Sequence, residues 1–383
     1  MKIGIVVPFS WSFWGGVPEH ADLQARALID LGHEVHVIMG HDPPGRLTKL
    51  LHPRVGRHER PPEYVVPVGR SVIVPANGSL PNLVLSPQSM LRMRRIFARE
   101  QFDVVHVHEP FTPILGAFAL AIAECPVVST SHASGEKLTW YKNSRHTWGF
   151  LADRIDYRIA VSERARTSAE PILGGPFEIL PNGVLIPPTA SASGRDDHVV
   201  FIGRHEPRKG LAILLRAWPR VSAATGMRLR VVGADPLSVR WLMRRLGLSH
   251  ENVDLLGSIT EEALTQELLR AKALCAPSTG RESFGMVLTR AFASSAPVVA
   301  SDIEGYSDVA GPETGLLVPP GDHEALADAL IALVADESRR AAMGEAGRRV
   351  AEERYSWPRI CGRLVEIYGG LAAGDHRAAA AAA

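Results

Sequence analysis

A chain of 383 residues exceeds what one hydrophobic core organises, about 250–300 residues, so two domains are expected. With 46% apolar and 22% charged residues and a formal net charge of +1, it has a globular composition and no global field for nucleic acid or membrane; any such attraction must come from a local patch. Cys125, Cys275 and Cys361 fit no zinc or disulfide spacing and read as buried thiols in a reducing cytoplasm.

The opening apolar run is too short for a signal peptide, and Pro8 and Ser10 close it with no cleavage pattern, so Lys2–Val7 reads as a buried strand. Helix Val17–Leu31 and strand Val35–Met39 follow. After a Pro-rich stretch come strand Asp103–Val107, helix Pro113–Ala123 and strands Pro126–Thr130 and Tyr157–Val161. The apolar stretch Ile114–Ala123 is half a membrane span at most. Pro187–Asp197 is a polar, Pro/Ser-rich linker. The second half repeats the alternation, with strands Val199–Ile202, Leu229–Val232, Val253–Leu256, Leu274–Ala276, Pro297–Ala300 and Gly315–Val318. Between them lie helices Leu211–Ala223, Leu237–Leu246, Glu261–Lys272, Phe284–Ala293 and His323–Val334. Short, nearly all-apolar strands separated by helices predict two doubly wound α/β domains, 1–186 and 197–355, with parallel sheets that bind ligand at the strands' carboxyl ends. Residues 372–383 read as a frayed tail.

Four segments carry candidate chemistry. Gly15-Gly16 lies between the first strand and first helix, where a backbone without Cβ atoms lets a ligand approach a helix N-terminus. His132 ends a buried strand, where an imidazole can donate to a sugar hydroxyl or stabilise charge; Lys137 follows at a spacing suited to an acceptor phosphate. Arg204 and Lys209 flank the loop after the second domain's first strand, as two cations for a diphosphate leaving group or as a plain basic loop. Glu282-Ser283-Phe284-Gly285 sets a carboxylate at the mouth of a helix, where it can accept from sugar hydroxyls while helix N–H groups hold phosphate. His106 and His108 alternate on a strand, as a metal-ligand pair or as part of a turn, and no Asp-x-Asp pair for a catalytic metal is present. Residues 88–99 form a basic amphipathic helix. Met90, Leu91, Met93, Ile96 and Phe97 can bury, and Arg92, Arg94, Arg95 and Arg99 offer either a solvated face or a contact for anionic lipid.

These segments resemble retaining glycosyltransferases of the GT-B fold, of the glycogen-synthase-like family 4 type. Glu282 with Phe284-Gly285 matches the family's Glu, seven residues, Glu signature, and Arg204 with Lys209-Gly210 matches its diphosphate motif. Gly15-Gly16-Val17, His106-x-His108-Glu109-Pro110, Pro181-Asn182-Gly183 and the stretch around Asn77 extend the likeness along the chain, most closely to actinobacterial phosphatidylinositol mannosyltransferases. The resemblance implies a retaining, metal-independent transfer of a hexose, mannose from GDP-mannose, to a lipid or polyol acceptor such as phosphatidylinositol, with no further cofactor. It implies a cytoplasmic enzyme peripheral to the membrane, with a last helix near 356–371 crossing back onto the first domain. It assigns the diphosphate to Arg204 and Lys209, the hexose to Glu282 with Ser283, Phe284 and Gly285, the reacting centre to His132, the donor and acceptor to Gly15-Gly16, and the acceptor to Phe9, Asn77 and Lys137.

The chain departs from the pattern at Arg290, which stands where the family has its second Glu. On one helix Glu282 and Arg290 would lie about 12 Å apart, the span from sugar to ribose. An arginine has only donors, so it cannot accept from ribose hydroxyls as a carboxylate does. Phe9 and Pro18 also replace residues that are polar in the mannosyltransferases. A degenerate nucleotide-sugar-binding protein with little turnover is the alternative; a GT-B epimerase or phosphorylase is a third reading, the latter without a recognisable pyridoxal-phosphate lysine region.

Overall fold

The computed structural model describes residues 1–13, 15–52, 60–74, 81–132, 149–191, 193–280 and 282–374. Asn77, Lys137, Trp14, Arg281 and the tail after Gly374 lie outside the described residues. The chain forms two compact units, Met1–Gly183 with the segment from Trp357 onward, and Val184–Ser356.

In the first unit β1 (Lys2–Ser10), β2 (Glu34–Gly40), β3 (Val65–Gly69), β6 (Val104–His108), β7 (Val127–Ser131), β8 (Tyr157–Ala160) and β9 (Glu178–Ile179) pair in the order β3-β2-β1-β6-β7-β8-β9, all parallel. Two short antiparallel strands, β4 (Val72–Ile73) and β5 (Asn82–Leu83), continue the sheet from the end of β1. The helices are α1 (Gly16–Asp30), α2 (Arg46–Leu51), α3 (Pro87–Glu100), α4 (Leu115–Ile122) and α5 (Glu163–Leu173). The central strands are buried on both faces, which a sheet of apolar residues covered by helices requires. Ala21, Ala25 and Leu28 of α1 pack with Ile3, Ile5 and Val7 of β1. The same core takes in Trp357, Ile360, Cys361, Leu364 and Tyr368 of the C-terminal helix, α12 (Trp357–Ala372).

The second unit is a six-stranded parallel sheet of β10 (Asp196–Ile202), β11 (Arg228–Val232), β12 (Val253–Gly257), β13 (Ala271–Ala276), β14 (Val298–Ser301) and β15 (Gly315–Val318), ordered β12-β11-β10-β13-β14-β15. Helices α6 (Leu211–Thr225), α7 (Pro236–Arg245), α8 (Glu261–Arg270), α9 (Met286–Ala293), α10 (His323–Ala335) and α11 (Glu337–Val350) connect or follow its strands. In each unit the strand order reverses beside the first strand, between β1 and β6 and between β10 and β13. Loops leaving such a point diverge and open a crevice for ligand.

Local boundaries differ from the sequence expectation in three places, and one thiol differs in burial. The helix expected over Glu261–Lys272 stops at Arg270, because Ala271–Ala276 is strand. The helix expected from Phe284 starts at Met286, so Glu282 belongs to the preceding loop and the two ends of the motif are not carried on one helix. The end of the polar linker is fastened: Asp196 already begins β10, and the Arg195 guanidinium donates to the carbonyls of Leu268, Ala271, Ser294 and Ser295 at 2.6–2.8 Å. Cys275 and Cys361 are buried thiols, whereas Cys125 is only half-buried. No described helix is long and apolar enough to cross a membrane.

Candidate active site

The loops that leave β10 and β13 interlock. Gly210 has φ +71°, and a Cβ there would meet the Pro277 carbonyl oxygen at 1.8 Å, so glycine is the only residue the packing admits. The Thr279 N–H donates to the Arg208 carbonyl at 2.8 Å. Gly305, at φ +84°, backs onto the Glu282 carbonyl, where a Cβ would approach to 2.4 Å. These contacts hold Glu282 against the turn Pro207–Lys209. One carboxylate oxygen, Oε1, receives Lys209 Nζ at 2.8 Å and Arg208 Nη1 at 2.8 Å, with the Ser278 hydroxyl at 3.4 Å. Ser278 also bonds the Tyr306 hydroxyl at 2.9 Å; burial, then the Glu282 charge, pushes that phenol far above its usual range.

Arg204 extends from the same loop, half exposed, and pairs with Glu206 at 2.8 Å; Glu206 also holds Arg208 at 3.0 Å. Arg208 therefore joins the site, although sequence reasoning passed over it. Its signal is adjacency to Lys209 in the turn Pro207–Lys209. Ser283 is half-buried, and Phe284 packs edge to face on Tyr355 with ring centroids 5.5 Å apart, so the phenyl ring anchors the loop. Gly285 caps α9 at φ 79°. Arg290, on α9, pairs with Glu261 at the start of α8, 3.1 Å away.

The first unit builds a different kind of site. His108 ends β6 and His132 follows β7, and their ring nitrogens Nδ1 and Nε2 share a hydrogen bond of 2.8 Å. Glu109, in the left-handed region at φ 51°, accepts from the His132 backbone N–H at 2.7 Å, which offsets the strain of a non-glycine residue there. His20 of α1 stands edge-on to His132 at 4.8 Å, and His106 stacks on His108 at 4.7 Å. His106 spends Nε2 on the Thr130 hydroxyl at 2.6 Å and Nδ1 on Tyr368 and Gln24, so His106 and His108 do not form a two-imidazole ligand pair. His20, His108 and His132 each bring a ring nitrogen within 4.8 Å of the others. The 2.8 Å between His108 and His132 is closer than the roughly 3.3 Å between two nitrogens of a tetrahedral zinc site, and fits their mutual hydrogen bond. Burial, reinforced by neighbouring imidazoles, pushes His106 down to about 3 and His108 and His132 well below the usual range; burial, opposed by hydrogen bonds to Gln24 and Asn182, takes His20 to about 4. The cluster is neutral at physiological pH.

Helix starts divide in a way that bears on ligands. Ser86, Ser162, Asp235, Thr260, Asp322 and Asp336 cap their helices with side-chain hydrogen bonds. The helices that open at Gly15, Gly210 and Gly285 have no side-chain cap, nor have α2 at Gly45 and α4 at Ile114; at the three glycines beside the candidate site the first N–H groups are left to an anion. Gly15 is extended, and a Cβ there would meet nothing within 4 Å, so the fold itself does not demand glycine at this position. Phe9, near the end of β1, is half-buried against the first unit's core.

This fold with this constellation defines a GT-B glycosyltransferase. The description "Glycosyltransferase Family 4" matches residues 14–185, and "Glycosyl transferases group 1" matches residues 196–336. The phosphatidyl-myo-inositol mannosyltransferase of Mycobacterium leprae is 35% identical over 380 residues, covering 96% of each chain, and that of Propionibacterium freudenreichii is 32% identical, covering 96% of this chain and 94% of its own. The chain belongs to glycosyltransferase family 4, among the phosphatidyl-myo-inositol mannosyltransferases and their relatives. A GDP-mannose-dependent phosphatidylinositol monomannoside mannosyltransferase of Corynebacterium glutamicum is 29% identical over 63% of this chain and 69% of its own. The fold matches sucrose-phosphate synthase of Thermosynechococcus elongatus at TM-score 0.73 (20% identity; 97% and 99% of the chains) and Anabaena HepE with UDP and glucose at 0.72 (21%; 97% and 100%).

Proposed function

We propose that the protein transfers mannose from GDP-mannose to a phosphatidylinositol-type lipid with retention of configuration and without a metal. The observation that carries this is Glu282 held by Lys209 and Arg208 at the mouth of α9, in a chain 35% identical over its length to a phosphatidyl-myo-inositol mannosyltransferase. When the bond from the anomeric carbon to the donor phosphate breaks, negative charge builds on the diphosphate. Lys209, Arg208 and Arg204 are preorganised to neutralise it, with the uncapped helix ends at Gly210 and Gly285. Those cations rest on Glu282 and Glu206 until a diphosphate competes for them. The Glu282 carboxylate accepts from hexose hydroxyls. His132 contributes a neutral imidazole that can donate to a sugar hydroxyl. With no evident protein nucleophile among these groups, front-face substitution assisted by the leaving phosphate accounts for retention. The degenerate-binder reading has less support, since Arg204, Lys209 and Glu282 are all kept.

The acceptor would be met at a bilayer. Arg92, Arg94, Arg95 and Arg99 are exposed on α3, and Leu91, expected to bury, stands 61% exposed among them. Arg99 pairs with Glu100, so the remaining three carry most of the attraction, about 1 kcal/mol each near anionic lipid. The test is incubation of GDP-mannose with phosphatidylinositol vesicles and extraction of mannolipid, with the product's anomeric configuration read by NMR. GDP-mannose that remains intact in the presence of this lipid would overturn the reading.

A further inference from the structure

Helix α7 belongs to the second unit and buries Val239 and Met243 in that unit's core, with Leu242 partly covered. Its outward face carries Leu237, 73% exposed, and Trp241, 57% exposed, one turn apart. Arg240, Arg244 and Arg245 are exposed alongside them, and the Arg245 guanidinium lies 5.4 Å from the centre of the Trp241 ring. No residue of α7 is acidic. The nearest acid in sequence, Asp235, is the helix cap and accepts from Ser238 N–H and hydroxyl at 2.8 and 2.7 Å. A merely solvated helix face mixes charge signs and avoids a neighbouring leucine and tryptophan.

We propose that this face of α7 docks on an anionic bilayer, as a contact separate from α3. Trp and Arg both suit the headgroup layer, where an apolar body meets lipid and a polar tip meets phosphate. A second copy of the chain fits poorly. A two-fold contact would bring the Arg240, Arg244 and Arg245 cluster of one copy close to the same cluster of the other, and one helix face falls short of the roughly 800 Å² per partner of a stable interface. A bilayer needs no shape complementarity and supplies the missing negative charge.

The experiment uses the full chain with phosphatidylcholine vesicles, with and without phosphatidylglycerol. Three variants are compared with the parent: Arg240→Gln/Arg244→Gln/Arg245→Gln, Leu237→Ser/Trp241→Ser, and Arg92→Gln/Arg94→Gln/Arg95→Gln as the α3 control. Removing the three α7 arginines should weaken partition onto anionic vesicles on the order of a hundredfold. Brominated acyl chains should quench a fluorescence component that Trp241→Phe removes. Titration with GDP, without vesicles, should give the parent affinity in both α7 variants and certifies that they are folded. Equal partition of parent and α7 variants overturns the proposal, as does a concentration-dependent dimer that Leu237→Ser/Trp241→Ser abolishes. Failure of the donor-sugar reading would appear separately, as no GDP binding by the parent, and failure of the α3 reading as parent-like partition of the control variant.

Discussion

The two units place their functional groups at equivalent points of similar sheets, yet by opposite electrostatics. The second unit gathers full charges: Glu282 with Lys209 and Arg208, and Glu206 with Arg204 and Arg208, in a partly open loop pair. The first unit gathers His20, His106, His108 and His132, all buried and held neutral. Charges that must meet a diphosphate have to stay near water, or desolvation would neutralise them before the ligand arrived. Imidazoles that orient one another through hydrogen bonds gain from burial, because a dry site fixes their geometry.

The largest effect should come from breaking the charged half. Lys209→Ala and Arg204→Ala are each expected to weaken GDP binding by about 1.5–3 kcal/mol, and Glu282→Gln to lower mannosyl transfer by two orders of magnitude or more, roughly the scale of losing one preorganised group. Calorimetry and turnover check both; unchanged values would separate the ion-pair cluster from the donor site.

Glycines sharpen the comparison next. Gly210→Ala should destabilise the second unit by about 3 kcal/mol or more, since it adds a left-handed alanine to a backbone clash. Gly15→Ala should change stability by about 0.5 kcal/mol at most, yet raise the KM for donor or acceptor, because only a ligand requires the missing Cβ. Urea unfolding beside steady-state kinetics distinguishes the two.

Acidification tests the neutral half. The folded values of His20, near 4, and His106, near 3, lie below the unfolded value of 6.5, so between these limits the unfolded chain binds more protons. Stability therefore falls as pH drops from about 6.5 toward 4 and below, by up to about 1.4 kcal/mol per pH unit for each such imidazole. Urea midpoints at pH 7 and pH 5 should show the loss, and His106→Asn should flatten it. A slope identical to the parent's would mean that carboxylates alone carry the acid response.

Arg290→Glu is a smaller perturbation. It sets a second carboxylate against Glu261 and removes a half-exposed ion pair, a loss of about 0.2–1 kcal/mol, with no gain in GDP affinity expected. Tighter GDP binding by the variant would instead mean that a ribose acceptor had been missing at this position. The least effect should come from excess chelator, which is expected to leave transfer unchanged, because cations and helix ends carry the neutralisation; an absolute need for magnesium or manganese would break that account.

Much of this protein is written locally. Alternating apolar strands and amphipathic helices predict two parallel sheets, and Gly15-Gly16, Arg204, Lys209 and Glu282-x-Phe284-Gly285 are contiguous motifs, legible because each acts through a loop at one strand's end. Helices α5 and α11 escaped notice. Pro171 interrupts the first, and the second buries Arg340, Met343, Gly344, Ala346 and Gly347 in place of an apolar stripe, so periodicity had little to detect. That Arg208 reaches Glu282, that Arg290 meets Glu261, and how four histidines from α1, β6 and the end of β7 converge could not be read in advance. Contacts such as His108 to His132 and His20 to His132 join residues 24 and 112 positions apart. Side-chain partners over such separations follow from strand order and loop packing, which exist only once the sheet has formed. The sequence alone thus determined the fold class and the motifs at strand ends; the tertiary structure alone decided which charges pair and which imidazoles are kept neutral, because burial and partner distance are properties of the folded chain.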